Sequence, residues 1–289
     1  MIKPQLCELR SEPFNDPRYL WETKYDGIRI IAGVVQDGFS LQARSGTDKT
    51  NLFPELNLET KVSTVLDGEL VCYKEGKLEF NGIQHRANRI NNVTLASKQY
   101  PATYEVFDIL MADGQDLQHT PLIKRKEILK AVLVPTDNVR IAEYSDDGIV
   151  LFQQVMANHI EGVVGKLKSG NYRQGKREWI KVKAVQSGEF TICGYTQGTG
   201  WRASTFGALV LGEFNGTGLT YVGSVGTGFD EAEIGRLFQR MLALGSNCPF
   251  GRPPEPATWI KPVIRVAIQY LEFTNDHKLR FPSYKGMIN

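Results

Sequence analysis

The stretch Trp21-Glu22-Thr23-Lys24-Tyr25-Asp26-Gly27-Ile28-Arg29-Ile30-Ile31-Ala32-Gly33-Val34-Val35 sets one lysine between two strand-like runs, WET and IRIIAGVV. The Asp-Gly between them is a turn signal. Lys24 is therefore expected at a strand end or turn beside other sheet residues, where its amine loses water. Burial or neighbouring cations lower a lysine pKa and free the lone pair that an attack on phosphorus needs. In the K-x-D-G-x-R pattern, Asp26 can orient the amine or a metal. Gly27 permits close backbone approach, and Arg29 can meet phosphate or ribose oxygens. Taken alone, the hexapeptide fits a surface hairpin turn equally well.

Outward from this stretch, residues 21–184 alternate short apolar strands and turns with helical runs at 123–134 and 149–158, an α+β pattern. After Val185 the chain becomes Gly-rich and β-rich, with TICGYTQG, FGALVLGEF and LTYVGSVG separated by turn residues. A helix is expected from Asp230, with Glu233 completing a capping-box-like start and Ile234, Leu237, Phe238, Met241 and Leu242 on one face. Within 263–273, Ile264, Val266, Ile268 and Tyr270 alternate as a half-buried strand does. Strands interrupted by one helix match an OB-type barrel, although any small barrel or sandwich has similar composition. The expected domains are 1–186 and 187–289.

The 289 residues are 42% hydrophobic and 23% charged, ordinary for a soluble globular protein and enough for two domains. No apolar run approaches the roughly eighteen residues of a membrane span, and the start MIKPQLCELR lacks a secretory apolar core. A cytoplasmic, membrane-free protein is the expectation. Cys7, Cys72, Cys193 and Cys248 lie far apart, which points to free thiols rather than zinc pairs or disulfides. A net charge of +2 does not demand a nucleic-acid partner. Its distribution is more telling: residues 166–183 hold seven basic residues against one acid, Glu178. That segment is a candidate phosphate-binding surface, or else a solvated basic face.

Five further segments follow KYDGIR in order. They are Arg44-Ser45-Gly46, Leu66-Asp67-Gly68-Glu69-Leu70, Tyr104-Glu105-Val106-Phe107-Asp108-Ile109-Leu110, Glu161-Gly162-Val163-Val164-Gly165-Lys166 and Trp179-Ile180-Lys181-Val182-Lys183. Jointly they resemble the motifs of the covalent nucleotidyltransferase superfamily, which includes DNA ligases, RNA ligases and mRNA capping enzymes. Finer marks are Phe53-Pro54-Glu55-Leu56, the run from Phe107 through Gly114 to Pro121-Leu122, and Leu279-Arg280-Phe281-Pro282-Ser283-Tyr284. These are most similar to ATP-dependent DNA ligases, particularly the ligase module of bacterial end-joining ligases, across nearly the whole chain.

The resemblance implies a nucleotidyltransferase (adenylation) domain followed by a small OB-fold β-barrel. It implies ATP as cofactor, with Lys24 attacking the α-phosphorus and keeping AMP. AMP would then pass to the 5′-phosphate of a nick in double-stranded DNA, and the 3′-hydroxyl would attack with AMP release. Glu22 matches the position that contacts adenine, Phe107 the aromatic that stacks on it, and Glu69 the residue that holds the ribose hydroxyls. Arg29 and Arg44 match arginines reaching ribose and phosphate, and Arg177 an arginine ahead of the last motif. Glu161 matches a carboxylate for Mg2+, or Mn2+ in its place, with Asp67 as a second metal or supporting position. Lys181 and Lys183, alternating on one strand, would stabilise the transferring phosphate and depress the pKa of Lys24.

Related ligases carry an Arg-x-Asp-Lys-like segment after the proline-serine-aromatic run, whereas this chain reads Lys285-Gly286-Met287-Ile288-Asn289. Slower self-adenylation, with later steps less affected, is the resulting expectation. A minimal monomeric ligase, gripping DNA with residues 166–183 and the barrel, is expected to bind DNA in a salt-sensitive way. The rival expectations are an RNA ligase, a capping-type guanylyltransferase, or a noncatalytic nucleic-acid-binding module.

Overall fold

The computed structural model describes residues 2–87, 91–216, 218–274 and 276–288; Asn289, the last residue of the C-terminal stretch read above, lies outside them. The chain divides into two units, Met1–Ala184 and Val185–Asn289.

The first unit holds two sheets. One contains β1 (Leu6–Arg10), β14 (Arg177–Lys183), β13 (Gly162–Leu167), β2 (Tyr19–Thr23) and β12 (Tyr144–Ser145), in that order. All its pairs are antiparallel except β1 with β14. The other runs β11 (Val139–Ile141), β8 (Ala102–Ala112), β6 (Thr64–Lys74), β3 (Ile28–Val35) and β4 (Gly38–Ala43). Short β7 (Lys77–Leu78) and β9 (Gln115–Asp116) extend it, and β5 (Glu59–Thr60) with β10 (Leu133–Val134) forms a separate ribbon.

The interior strand β3, between β6 and β4, buries both faces, as its near-continuous apolar run requires. Ile30, Ala32 and Val34 enter one cluster with Leu66 and Ile109, and Ile31 enters another. That second cluster also takes Phe107, Tyr172 and Trp179, joining side chains from both sheets. Helices α1 (Phe80–Ala87), α2 (Val93–Gln99), α3 (Leu122–Val132) and α4 (Gly148–Ala157) complete the unit. The helix expected over 123–134 stops at Val132, because Leu133 and Val134 pair with Thr60 and Glu59.

The second unit is one antiparallel sheet in the order β17 (Leu219–Val225), β16 (Phe206–Phe214), β15 (Gln186–Gln197), β18 (Thr258–Tyr270) and β19 (Ser283–Ile288). Backbone hydrogen bonds from Leu279 to Val222 (2.7 Å) and from Tyr284 to Thr227 (3.0 Å) bring the two ends of this strand order together. The sheet therefore curls around its core, with helix α5 (Glu231–Leu242) packed on it through Ile234, Leu237 and Met241. Asp230 caps α5 by accepting from the Glu233 backbone at 2.7 Å. Leu242, expected on the apolar face, is instead exposed. Gln186 pairs with Tyr270 and so belongs to this sheet, one strand start earlier than the division after 186. No described helix is long and apolar enough to cross a membrane.

Candidate active site

Strand register builds one wall of the site. Val164 of β13 pairs with Glu22 of β2 on one side and Lys181 of β14 on the other. Gly162 pairs with Lys183, and its carbonyl accepts the Lys24 backbone N–H at 2.8 Å. Because side chains alternate with period two, Glu22, Lys24, Val164, Lys166, Trp179, Lys181 and Lys183 all share one face.

The opposing wall comes from the second sheet. Arg29 pairs with Glu69 across β3 and β6. Between β6 and β8 the register slips: Asp67 pairs with Asp108 and Gly68 with Val106, leaving Phe107 as the extra residue of a bulge. A bulge re-aims a side chain, and Phe107 lines the cavity. Gly27 sits where a Cβ would lie 2.2 Å from the Leu70 carbonyl oxygen, so the close approach expected of this glycine is required by the fold.

The cavity between these walls measures roughly 90 Å³ and is lined by Glu22, Lys24, Arg29, Glu69 and Phe107 among others. Val164 and Trp179, to which the motifs assign no role, line it too, as does Lys166, expected on a phosphate-binding surface and found inside instead; strand alternation groups all three with Lys181. Cys7 lines it as well, and nothing local marks it: it arrives through the parallel pairing of β1 with β14.

The charges differ from expectation in one important respect. Lys24 ion-pairs with Glu161, which also meets Lys183 at 3.3 Å. Burial is the largest single influence on the Lys24 amine and pushes its pKa down. The charge and hydrogen bond of Glu161, aided by Glu69 and Asp26, outweigh burial, and the pKa stands above its ordinary value. The lowered pKa expected for Lys24 thus belongs to its neighbour Lys181, through burial and then repulsion from Lys24 and Lys183. Glu69 is pushed up to about 7 by burial, against the pull of Arg29 and Lys24.

Asp67 does not offer itself to a metal. It is fully buried, and its two oxygens are taken by the Arg29 guanidinium at 2.5 and 2.7 Å and by the Tyr172 hydroxyl at 2.6 Å. The same ion pair sets Arg29 over the Phe107 ring, 4.4 Å from its centroid, while the Lys166 ammonium lies 4.2 Å from that centroid. Two cations therefore attend the ring expected to stack on a base. Arg44 and Arg177 are exposed and do not line the cavity. Arg177 lies four residues, about 13 Å of strand, before Lys181 and donates to the Cys7 carbonyl at 3.2 Å, which removes it from the site as built.

Among the described residues no group of three or more His, Cys, Asp or Glu side chains could hold a metal ion. Glu161 and Glu69, both acting electrostatically on Lys24, are nonetheless hard oxygen donors. Such a sparse set fits Mg2+, which keeps several waters and is commonly held by one or two carboxylates plus substrate phosphates.

A lysine between opposed sheets, ringed by carboxylates and further cations and followed by a curled β unit, defines a nucleotidyltransferase domain with a C-terminal ligase domain. Residues 5–183 match the ATP dependent DNA ligase domain, and residues 202–288 match the ATP dependent DNA ligase C terminal region. The chain belongs to the ATP-dependent DNA ligase family.

It is 32% identical over 283 residues to the multifunctional non-homologous end joining protein LigD of Mycolicibacterium smegmatis, covering 93% of this chain and 36% of that protein. The chain thus spans little more than a third of that relative. It is 33% identical over 203 residues to the SPbeta prophage-derived DNA ligase-like protein LigB of Bacillus subtilis, covering 68% of this chain and 72% of that protein. Among solved structures, the ligase domain of LigD from M. tuberculosis aligns with a TM-score of 0.57 and 26% identity, over 99% of this chain and 95% of that one.

Proposed function

We propose that this chain seals nicks in double-stranded DNA through a Lys24–AMP intermediate, as a monomer acting in DNA repair of the end-joining kind in the bacterial cytoplasm. The observation that carries this reading is the cluster of Lys24, Lys181 and Lys183 on one sheet face about the Glu161 carboxylate, with Glu22, Glu69 and Phe107 in the adjoining cavity.

Attack on the α-phosphorus of ATP requires Lys24 neutral, whereas Glu161 holds it charged. Whatever engages the Glu161 charge lets burial and the nearby Lys181 release the proton, so nucleotide binding and amine activation are coupled. A divalent cation bound at Glu161, Mg2+ or Mn2+, would supply charge neutralisation on the phosphates and on that carboxylate. Lys181 and Lys183 stabilise charge on the transferring phosphoryl group, and pyrophosphate leaves. Glu22 and Phe107 take the adenine, Glu69 the ribose, and Arg29 the ribose or phosphate side. Arg44, being exposed, is assigned to the 5′-phosphate end of the nick. AMP then moves to that phosphate and the 3′-hydroxyl displaces it, both in-line transfers needing position more than a strong base.

Nick sealing with ATP and Mg2+ by the wild type and by Lys24→Ala tests the proposal. The wild type is expected to form an acid-labile adduct with labelled ATP and to join a nicked DNA duplex. Lys24→Ala is expected to do neither, and an adduct persisting in that variant would overturn the assignment.

A further inference from the structure

Three buried charges meet at the cavity wall. Lys166 ion-pairs with Oε2 of Glu22 at 2.6 Å, and Lys126 ion-pairs with Oε1. Glu22, Lys166 and Lys126 are 2%, 1% and 6% exposed, and beyond these ion pairs neither ammonium, nor Oε1 of Glu22, has a hydrogen-bond partner among the described residues. Glu22 and Lys166 line the cavity, whereas Lys126 stands behind them on α3.

The inward face of α3 is Leu122, Arg125, Lys126 and Leu129, the i, i+3, i+4, i+7 pattern that normally carries apolar side chains. Arg125 has a scaffold role: it closes on Asp108 at 2.7 and 2.8 Å and holds the Thr120 and Gly170 carbonyls. Lys126 bonds no backbone carbonyl among the described residues: its ammonium meets Glu22 and lies 5.6 Å from the Tyr144 ring centroid. Burying an ion costs several kcal/mol, and an apolar residue would seat α3 at lower cost, so stability does not account for this lysine.

We propose that Lys126 is a positioning residue for the nucleotide base: by holding one carboxylate oxygen of Glu22, it fixes which lone pairs face the cavity and so sets the preference for adenine over guanine. This rests on the assignment of Glu22 to the base. Adenine presents an amino donor where guanine presents a carbonyl acceptor. A carboxylate anchored through both oxygens keeps lone pairs for the donor and repels the carbonyl. Without Lys126, Glu22 turns toward Lys166 alone. The lone pairs leave the base edge, and a guanine carbonyl meets only the spare protons of Lys166.

The test is the KM and kcat of Lys24 adenylation with ATP and with GTP, for the wild type, Lys126→Met and Lys126→Arg, with thermal melting alongside. Lys126→Met is expected to raise the KM for ATP about tenfold, the scale of one charged hydrogen bond, with kcat little changed and the ATP-over-GTP preference reduced. Lys126→Arg, which keeps a cation on Glu22, is expected to recover most of the preference. If Lys126→Met does not fold, Lys126→Leu, apolar and without a donor for Glu22, takes its place with the same expectation. Losses equal for ATP and GTP, or KM and preference both unchanged, overturn the inference while leaving the sealing function intact. A wild type that forms no adduct overturns the function itself, and this inference with it.

Discussion

At the residue scale, the chemistry turns on one contest of forces at Lys24. Burial favours its neutral form, the carboxylate of Glu161 favours the charged form, and the carboxylate wins. Glu161→Gln removes that charge, so the Lys24 pKa is expected to fall and the rise of the adenylation rate with pH to move to lower pH. The maximal rate is expected to fall at least about a hundredfold, the usual loss when an electrostatic contributor is removed; a rate–pH profile for the variant checks both. Glu69 offers a separate handle. Its pKa rises from 4.5 to about 7 on folding, so its protonated form favours the fold. That contribution is present below pH 4.5 and is lost as the pH climbs to about 7. Glu69→Gln is accordingly expected to melt higher than the wild type at pH 8 and with little gain near pH 4.5; an equal difference at both pH values would count against the buried carboxyl.

At the element scale, short segments behave as their local patterns direct until a partner overrides them. Asp230 caps α5 as its spacing with Glu233 implies, because both groups lie within one helical turn. Val132 ends α3 early because Leu133 and Val134 find strand partners far away in sequence. Gly27 shows local and distant demands coinciding, since the connection it ends must pass the Leu70 carbonyl of β6. Gly27→Ala is expected to destabilise the chain by about 3 kcal/mol or more, the upper range for overpacking, and to lower adduct formation as Lys24 shifts. Denaturant titration together with the adduct assay measures the two effects. The inward Lys126 on α3 illustrates the limit of amphipathic patterning, which has no means of telling a functional buried cation from a helix edge.

At the scale of the whole molecule, a net charge of only +2 means that DNA affinity has to come from local basic surface rather than overall charge. Of the basic run over 166–183, the structure turns Lys166 into the interior, holds half-buried Lys168 against Asp146 at 3.0 Å and turns Lys181 and Lys183 toward Lys24, leaving Arg173, Lys176 and Arg177 exposed. Those three and Arg44 are the candidates for phosphate contact. Affinity for a nicked duplex is expected to fall on the order of a hundredfold between about 50 and 200 mM salt, as a slope of about −0.9 per contact gives for about four phosphate contacts. Binding titrations at several salt concentrations test this, and a flat response would exclude phosphate-dominated binding.

The identity of the chemistry was written in the chain. KYDGIR and five ordered segments marked the ligase family and hold the lysine, carboxylates and cations proposed to carry the reaction, because each motif is a short run whose residue types such a reaction demands directly. The division into an α+β part and a Gly-rich β part was equally visible, since strand and turn periodicity are local properties. What folding alone settled is which charges meet. Glu161 lies 137 residues from the amine it controls, Asp67 is spent on Arg29 and Tyr172, Arg177 is carried off along its strand, and Lys126 lies outside every quoted segment. Electrostatic coupling depends on separations of a few ångströms, and strand register sets those separations between residues that are remote along the chain.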